Sequence, residues 1–370
     1  MHTVRFFPLG NADTCMLELA DGRILLFDYA NMRDSDDKKD KRIDLPEVLG
    51  DRLKALKKTE FDVVAFTHAD DDHIHGSSEF FFLQHAEKYQ SEDRVKIKEL
   101  WVPAAMIIEE GVEDEAKILR AEARHRLKQG KGIRVFSRPE LLEDWLKAQK
   151  LTLEPRRSLI SDAGTLVPGF DKSKDGVEFF VHSPFAKHVE DGVEDRNAAA
   201  IILHVTFLVD GVETRMFLVG DTTYEVLKDI VAITKSKKRM DRIQYDIYDI
   251  PHHCSYLALS DEKGEDETKP DPDVAWMMSQ GNEKCLLVSC SDPIPTKDTT
   301  QPPHKQAAKY YQKIADEKMG QFNVTMQHPS TEKPEPLVIT IGKNGYEIVK
   351  AITAPFIAAS KQVAPRAGRA

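Results

Sequence analysis

The chain has 370 residues, enough to bury a large core as one domain or two. Its formal net charge of -10, with 31% charged and 41% hydrophobic residues, argues against a protein that coats nucleic acid non-specifically, because such binding runs on phosphate neutralisation; a local basic groove stays compatible. Four cysteines, Cys15, Cys254, Cys285 and Cys290, lack CxxC spacing, so neither a zinc ribbon nor a disulfide framework is indicated and a reducing interior is expected.

The first residues show no basic segment followed by a long apolar one, so no signal peptide is expected. The longest apolar run, 198–209, is interrupted by His204 and Thr206 and is too short to span a bilayer. The expectation is a cytoplasmic protein without membrane contact, its oligomeric state left open.

In chain order, residues 4–7, 15–19 and 24–27 read as strands, with Asp21-Gly22 as a hairpin turn. A charged loop, 31–44, leads to residues 45–58, where Leu45, Val48, Leu49, Leu53 and Leu56 recur at helical spacing and predict a covering helix. Residues 61–66 form a β-branched and aromatic run suited to a sheet interior. Directly behind it stand four candidate metal ligands, His68, Asp70, Asp72 and His73, within six residues. On extended backbone His68 and Asp70 point the same way, and a tight turn into a helix swings Asp72 and His73 back towards one centre. Imidazole combined with carboxylate suits zinc, manganese or iron better than calcium or magnesium, and it is the usual composition of a two-metal hydrolytic centre. The plainer reading, a solvated acidic loop, fits a strand-positioned cluster less well.

Residues 76–89 are expected to continue as a helix with Phe80, Phe81, Phe82 and Leu83 in the core, and 99–103 as a strand. Residues 105–150 are helical and charged and read as an insertion. Its Arg120, Arg124, Arg126, Lys128, Lys131 and Arg134 could line a phosphate-contacting stripe, but neighbouring acids such as Glu110 and Glu122 make a solvated helix face the better reading. The second half shows strands at 177–182, 201–208, 245–250 and 286–291, and an apolar run at 217–219 that delivers Asp221 past Gly220. A helix N-cap is the plainer role for Asp221. Residues 260–273 form an acidic loop, and His304 precedes a helix at 305–318.

The spacing His-x-Asp-x-Asp-His-x-x-Gly, carried by His68, Asp70, Asp72, His73 and Gly76, resembles the signature of the metallo-β-lactamase-like hydrolase superfamily. Asp70, where the superfamily more often has histidine, is similar to the branch that includes the soluble hydrolase domain of ComEC-type competence proteins and bacterial phosphorylcholine esterases. Gly10-Asn11-Ala12-Asp13-Thr14, Phe27-Asp28-Tyr29-Ala30, Gly220-Asp221 and Pro251-His252-His253-Cys254-Ser255 resemble further motifs of that branch in order, with Ala12, Ala30 and Cys254 standing where it has glycine. The resemblance implies an α/β fold, a four-layer α/β/β/α sandwich, as a single domain over 1–350 with the helical insertion at about 105–150 and a flexible tail over 351–370.

It also implies two divalent ions, zinc or manganese, held by His68, Asp70, Asp72, His73, Asp221 and His252, with His182 as a further candidate ligand. Asp221 would bridge the ions. Asp13 and Asp28 would orient ligand histidines, or simply form turns, and Asn197 would line the site. Because neighbouring side chains on a strand face opposite ways, one of His252 and His253 is the ligand; His252 is favoured, which leaves His253 at the rim or as a general acid. Asp72, His253 and His304 are the candidate catalytic residues, His304 through contact with a phosphate. The expected activity is cleavage of a phosphodiester, in nucleic acid or a small molecule, by a metal-bridged hydroxide. A lactonase, thioesterase or amide hydrolase on the same scaffold, or a non-catalytic binding module, are the alternatives.

Overall fold

In the computed structural model, which describes residues 1–189, 193 and 195–349, the apolar residues sort onto three separate packing surfaces. The tail expected at 351–370 lies outside the described residues. The sorting follows from strand alternation: Leu218 packs on one side of its strand, while Phe217 and Val219 pack on the other.

Fifteen strands are assigned among the described residues: β1 (His2–Phe6), β2 (Cys15–Glu18), β3 (Ile24–Phe27), β4 (Glu60–Ala65), β5 (Lys96–Pro103), β6 (Ile133–Phe136), β7 (Ile160–Ser161), β8 (Val177–Ser183), β9 (Ile202–Val209), β10 (Val212–Val219), β11 (Tyr245–Ile250), β12 (Gly281–Ser289), β13 (Gln321–Val324), β14 (Leu337–Gly342) and β15 (Gly345–Ile348). They form a nine-stranded sheet in the order β15-β14-β1-β2-β3-β4-β5-β6-β7 and a six-stranded sheet in the order β13-β12-β11-β10-β9-β8. Each sheet is antiparallel at one end and parallel at the other: pairing turns parallel at β3–β4 in the first and at β10–β11 in the second. Parallel strands need crossovers, and helices supply them on the outer faces.

Among those helices are α1 (Leu45–Leu56), α2 (Asp71–Ile74), α3 (Asp114–Gln129), α4 (Glu140–Ala148), α5 (Tyr224–Lys237) and α6 (Lys305–Glu317). Helix α1 starts where the Asp44 side chain accepts from Glu47 N, has proline in its first turn, and ends at Lys57 in the left-handed region. Leu49, Leu119 and Leu142, from α1, α3 and α4, pack on Leu26, Val64 and Leu100 of the first sheet. Phe27, Trp101 and Phe179 fill the space between the sheets, and Val226, Ile230 and Tyr311 cover the second sheet through Phe217 and Tyr248. Each fully buried side chain of this kind contributes about 1.5–3 kcal/mol. Helix, sheet, sheet, helix is therefore the observed layering, the four-layer α/β/β/α sandwich.

The segment at 105–150 is built into this sandwich rather than added to it. It supplies β6, which pairs in parallel with β5 and β7, and buries Leu119, Ala123 and Leu127 of α3. Four of its arginines are paired within the chain: Arg120 and Arg124 pair with Glu110, Arg134 reaches Glu99, and buried Arg126 pairs with Glu122, which also holds His85. The helix expected at 76–89 is broken at Phe81, which takes an extended conformation and packs edge-on against Tyr29, Phe61 and Phe66. Tertiary burial of the aromatic overrides local helical preference there. The β14–β15 hairpin, unforeseen, joins the first sheet through β1. Among the described residues no helix is long and apolar enough to cross a membrane.

Candidate metal centre

The strand ends of both sheets meet at one point, and backbone hydrogen bonds fix the segments that arrive there. Asp13 N donates to Asp72 O (3.1 Å), Tyr29 N to His73 O (2.9 Å) and Ile201 N to Thr67 O (3.0 Å). Asp28, at φ 57, is one of the few non-glycine residue types that tolerate the left-handed region. Its carboxylate accepts from Thr67 N (2.7 Å), Thr67 Oγ1 (2.6 Å) and His73 Nδ1 (2.8 Å).

With the Thr67 hydroxyl proton committed to Asp28, Thr67 Oγ1 accepts from His68 Nδ1 (3.1 Å), and His253 Nδ1 donates to Cys290 O (2.8 Å). These tautomers follow from the hydrogen-bond network. In all three histidines Nδ1 is occupied and Nε2 is turned inward, which is how metal-binding imidazoles are held. Ligand atoms of Asp13, His73, Asp221 and His253 lie within 4.8 Å of one another, and so do those of His68, Asp72 and His73, so His73 belongs to both groups.

His73 Nε2 stands 3.3 Å from Asp221 Oδ1 and 3.8 Å from Asp13 Oδ2, and His253 Nε2 stands 3.1 Å from Asp72 Oδ2 and 3.6 Å from Asp221 Oδ2. Four of the buried atoms here, Asp13 Oδ1, His68 Nε2, His73 Nε2 and Asp221 Oδ1, have no hydrogen-bond partner. Buried polar atoms are rarely left so, because each costs about 1–3 kcal/mol. Cations held by the two groups would give these residues partners.

The electrostatics point the same way. Burial opposes a charged His253, yet Asp221, Asp13 and the Asp72 hydrogen bond raise its pKa to about 10. His73 is raised too, against its burial, by Asp28 and Asp221. Burial pushes Asp13 up to about 6, whereas His253 and His73 overcome burial and pull Asp221 well below the carboxylate range. Burial, then His73, holds His68 at about 4. Without metal the crowded carboxylates are thus balanced by protons on imidazoles, and metal loading would exchange those protons for cations.

Several expected residues take other places. Asp70 Oδ2 is 3.6 Å from His68 Nε2, but its other oxygen is held by Arg196 at 2.8 Å and it lies outside both groups. The order of His252 and His253 is reversed: buried His253 enters the cluster, while His252, 3.8 Å from Asp221 Oδ2, lies outside both groups. Strand alternation does not apply to the pair, because His252, His253 and Cys254 all have positive φ (55, 51 and 64°). Asp13, expected to orient a histidine, contributes an oxygen to the cluster itself. Asn197 sits on the segment whose Arg196 grips Asp70 and Glu109, its Oδ1 buried without a partner. His304 is buried beside the His252–Cys254 turn; its backbone N donates to Cys254 O (3.1 Å) and its ring packs edge-on against Tyr256, leaving Nε2 unpartnered. Sequence reasoning missed Thr67 and Arg196. The adjacency of Thr67 to His68 was the only local signal for either.

His182 is not at the centre. It sits on the helix-covered face of the second sheet, donating from Nε2 to Arg242 O (2.7 Å) and stacking on Phe217, next to His204. Burial lowers His182 to about 4 and His204 to about 3. An unfolded chain takes up these protons near pH 6.5 and the folded chain refuses them until about pH 3–4, so the stability they confer is complete above 6.5 and is lost as pH falls through that window. Urea midpoints of wild type and His204→Gln, measured from pH 7 to 4, should converge as the pH falls, by up to about 1.4 kcal/mol per pH unit.

An Asp28→Asn variant should leave the fold intact and lower metal affinity and any metal-dependent activity by about 10–100-fold, because the His73 tautomer loses its acceptor. Metal titration followed by calorimetry would check it.

No protein-family model matches the chain, and no curated protein matches it. Solved structures similar to it include unliganded yeast PDE1 (10% identity, TM-score 0.43, 88% of this chain and 98% of that one). They include also the metallo-β-lactamase GOB-18 from Elizabethkingia meningoseptica (10% identity, TM-score 0.31, 73% and 83%) and a diphosphatase from the PhnP family (10% identity, TM-score 0.29, 79% and 87%). Fold and site define an α/β/β/α sandwich with a His/Asp cluster able to hold metal where the strand ends of its two sheets meet. At such low identities, the side chains of the site must carry the functional reading themselves.

Proposed function

We propose that this protein is a metal-dependent hydrolase that cleaves a phosphodiester. The observation that carries the reading is the set of buried, partnerless atoms of Asp13, His68, His73 and Asp221 converging with Asp72 and His253. Asp13, His73, Asp221 and His253 would hold one divalent ion, and His68 and Asp72 mark the place of a second, with Asp70 and His252 beside them. Zinc or manganese suits this mixed imidazole and carboxylate set. Ions held there supply an acidified water and a Lewis acid for a phosphoryl oxygen.

The chain's own groups do the rest. Asp28, Thr67 and Cys290 O fix the three imidazoles, and His304 presents a buried, unpartnered Nε2 near the His252 turn, where it can hydrogen-bond a substrate oxygen. The carboxylate-rich donor set and the motif resemblance favour a phosphodiester over other esters. Metal analysis of the purified chain, with hydrolysis of bis-p-nitrophenyl phosphate under added manganese or zinc and an Asp72→Ala comparison, tests this. Bound metal with cleavage lost in Asp72→Ala supports it. Metal without phosphodiester cleavage moves the substrate to a lactone, thioester or amide, and absence of metal overturns the hydrolase.

A further inference from the structure

His182 leads to a second site. The outer face of the second sheet and α5 leave between them a cleft of about 250 Å³ with no counterpart in the proposed chemistry. Its walls are Phe180, Phe185, Ile230 and Ile233, with His182 at the base and Lys237 and Arg239 at the mouth. Among the described residues none that lines it is a carboxylate. Ile233 is 42% exposed and lines the cleft.

The mouth is built for a charge. Arg239 is anchored by donating from one guanidinium nitrogen to Gly164 O (2.7 Å), and it lies 5.5 Å over the Phe180 ring. Neither Arg239 nor Lys237 makes an ion pair among the described residues, whereas nearby Lys235 and Arg242 are paired with Asp273 and Glu178. In a chain of net charge -10, two cations above an apolar cleft, without an ion pair among the described residues, are a specific arrangement. They also outweigh the partial negative charge at the C-terminal end of α5.

We propose that this cleft binds a small amphipathic monoanion, an aliphatic carboxylate whose chain lies between Phe180, Phe185, Ile230 and Ile233 and whose head group meets Lys237 and Arg239. The apolar walls supply affinity and the two cations supply selection for the anion. The proposal is independent of the metal-site reading.

The test compares sodium octanoate with 1-octanol on the full chain as purified, following the methyl resonances of Ile230 and Ile233 by NMR. Octanoate is expected to shift both methyls at millimolar concentration and to bind about tenfold tighter than octanol, the worth of one charge-assisted hydrogen bond. A Lys237→Ala/Arg239→Ala double variant, changed only at exposed positions, should keep the octanol response and lose the preference. Equal binding of the two probes by wild type, shifts confined to other residues, or no response at millimolar concentration would each overturn the proposal.

Discussion

On the proposed function, replacing Asp221 by asparagine is expected to strip the protein of most of its metal and to lower metal-dependent hydrolysis by on the order of 10³-fold. Asp221 is a carboxylate of the second sheet that reaches His73 of the first as well as the histidines that follow β11. Its Oδ1 faces His73 at 3.3 Å, and its Oδ2 faces His253 at 3.6 Å and His252 at 3.8 Å. Asparagine keeps the volume and one acceptor but removes the charge, and several kilocalories of cation stabilisation go with it. The metal-free fold should suffer much less, because His73 and His253 can release the protons that Asp221 now helps to hold. Melting curves of wild type and variant in chelator should therefore lie close together while metal content and turnover diverge. A variant that retains full metal and activity would remove Asp221 from the centre. One that is already unfolded in chelator would show that the carboxylate acts on the fold.

How much of this centre can be read from sequence depends on how local its geometry is. His68, Asp72 and His73 are legible because one strand end and one turn of helix place them, and Asp221 because Gly220 and an apolar strand announce it. The role of Asp13 is not local: its loop is set by the bond from Asp13 N to Asp72 O, across some sixty residues of chain. His252 and His253 exchange places because a left-handed turn replaces the strand geometry that their spacing suggests. His182 ends an apolar strand just as a ligand would, but strand alternation sends it to the opposite face, and only pairing with β9 decides which face that is. The same reasoning accounts for the fold. Strand and helix periods give the layers, whereas the inclusion of β6 in the sheet and the break at Phe81 come from tertiary burial.

Gly220 has no chemistry of its own, yet a methyl group added there should be felt throughout the centre. An added Cβ there would lie 2.5 Å from Thr67 Oγ1 and 2.7 Å from Thr67 Cβ. Thr67 cannot step aside, since its hydroxyl and its backbone N both donate to Asp28 and its Cβ is fixed to the backbone that carries His68. In Gly220→Ala the strain must go into the main chain, either at the end of β10, which displaces Asp221, or at Thr67, which displaces His68 and loosens the hold of Asp28 on His73. Overpacking of this kind costs about 1–3 kcal/mol of stability, and misplacing a reacting group by about 1 Å costs about 10²-fold in rate. The variant should thus show both a lowered melting temperature and a loss of metal-dependent turnover of at least that size. Wild-type turnover in Gly220→Ala would mean that the two strand ends have room to part without disturbing the ligands, and that the close approach of the sheets is not what sets the geometry of the centre.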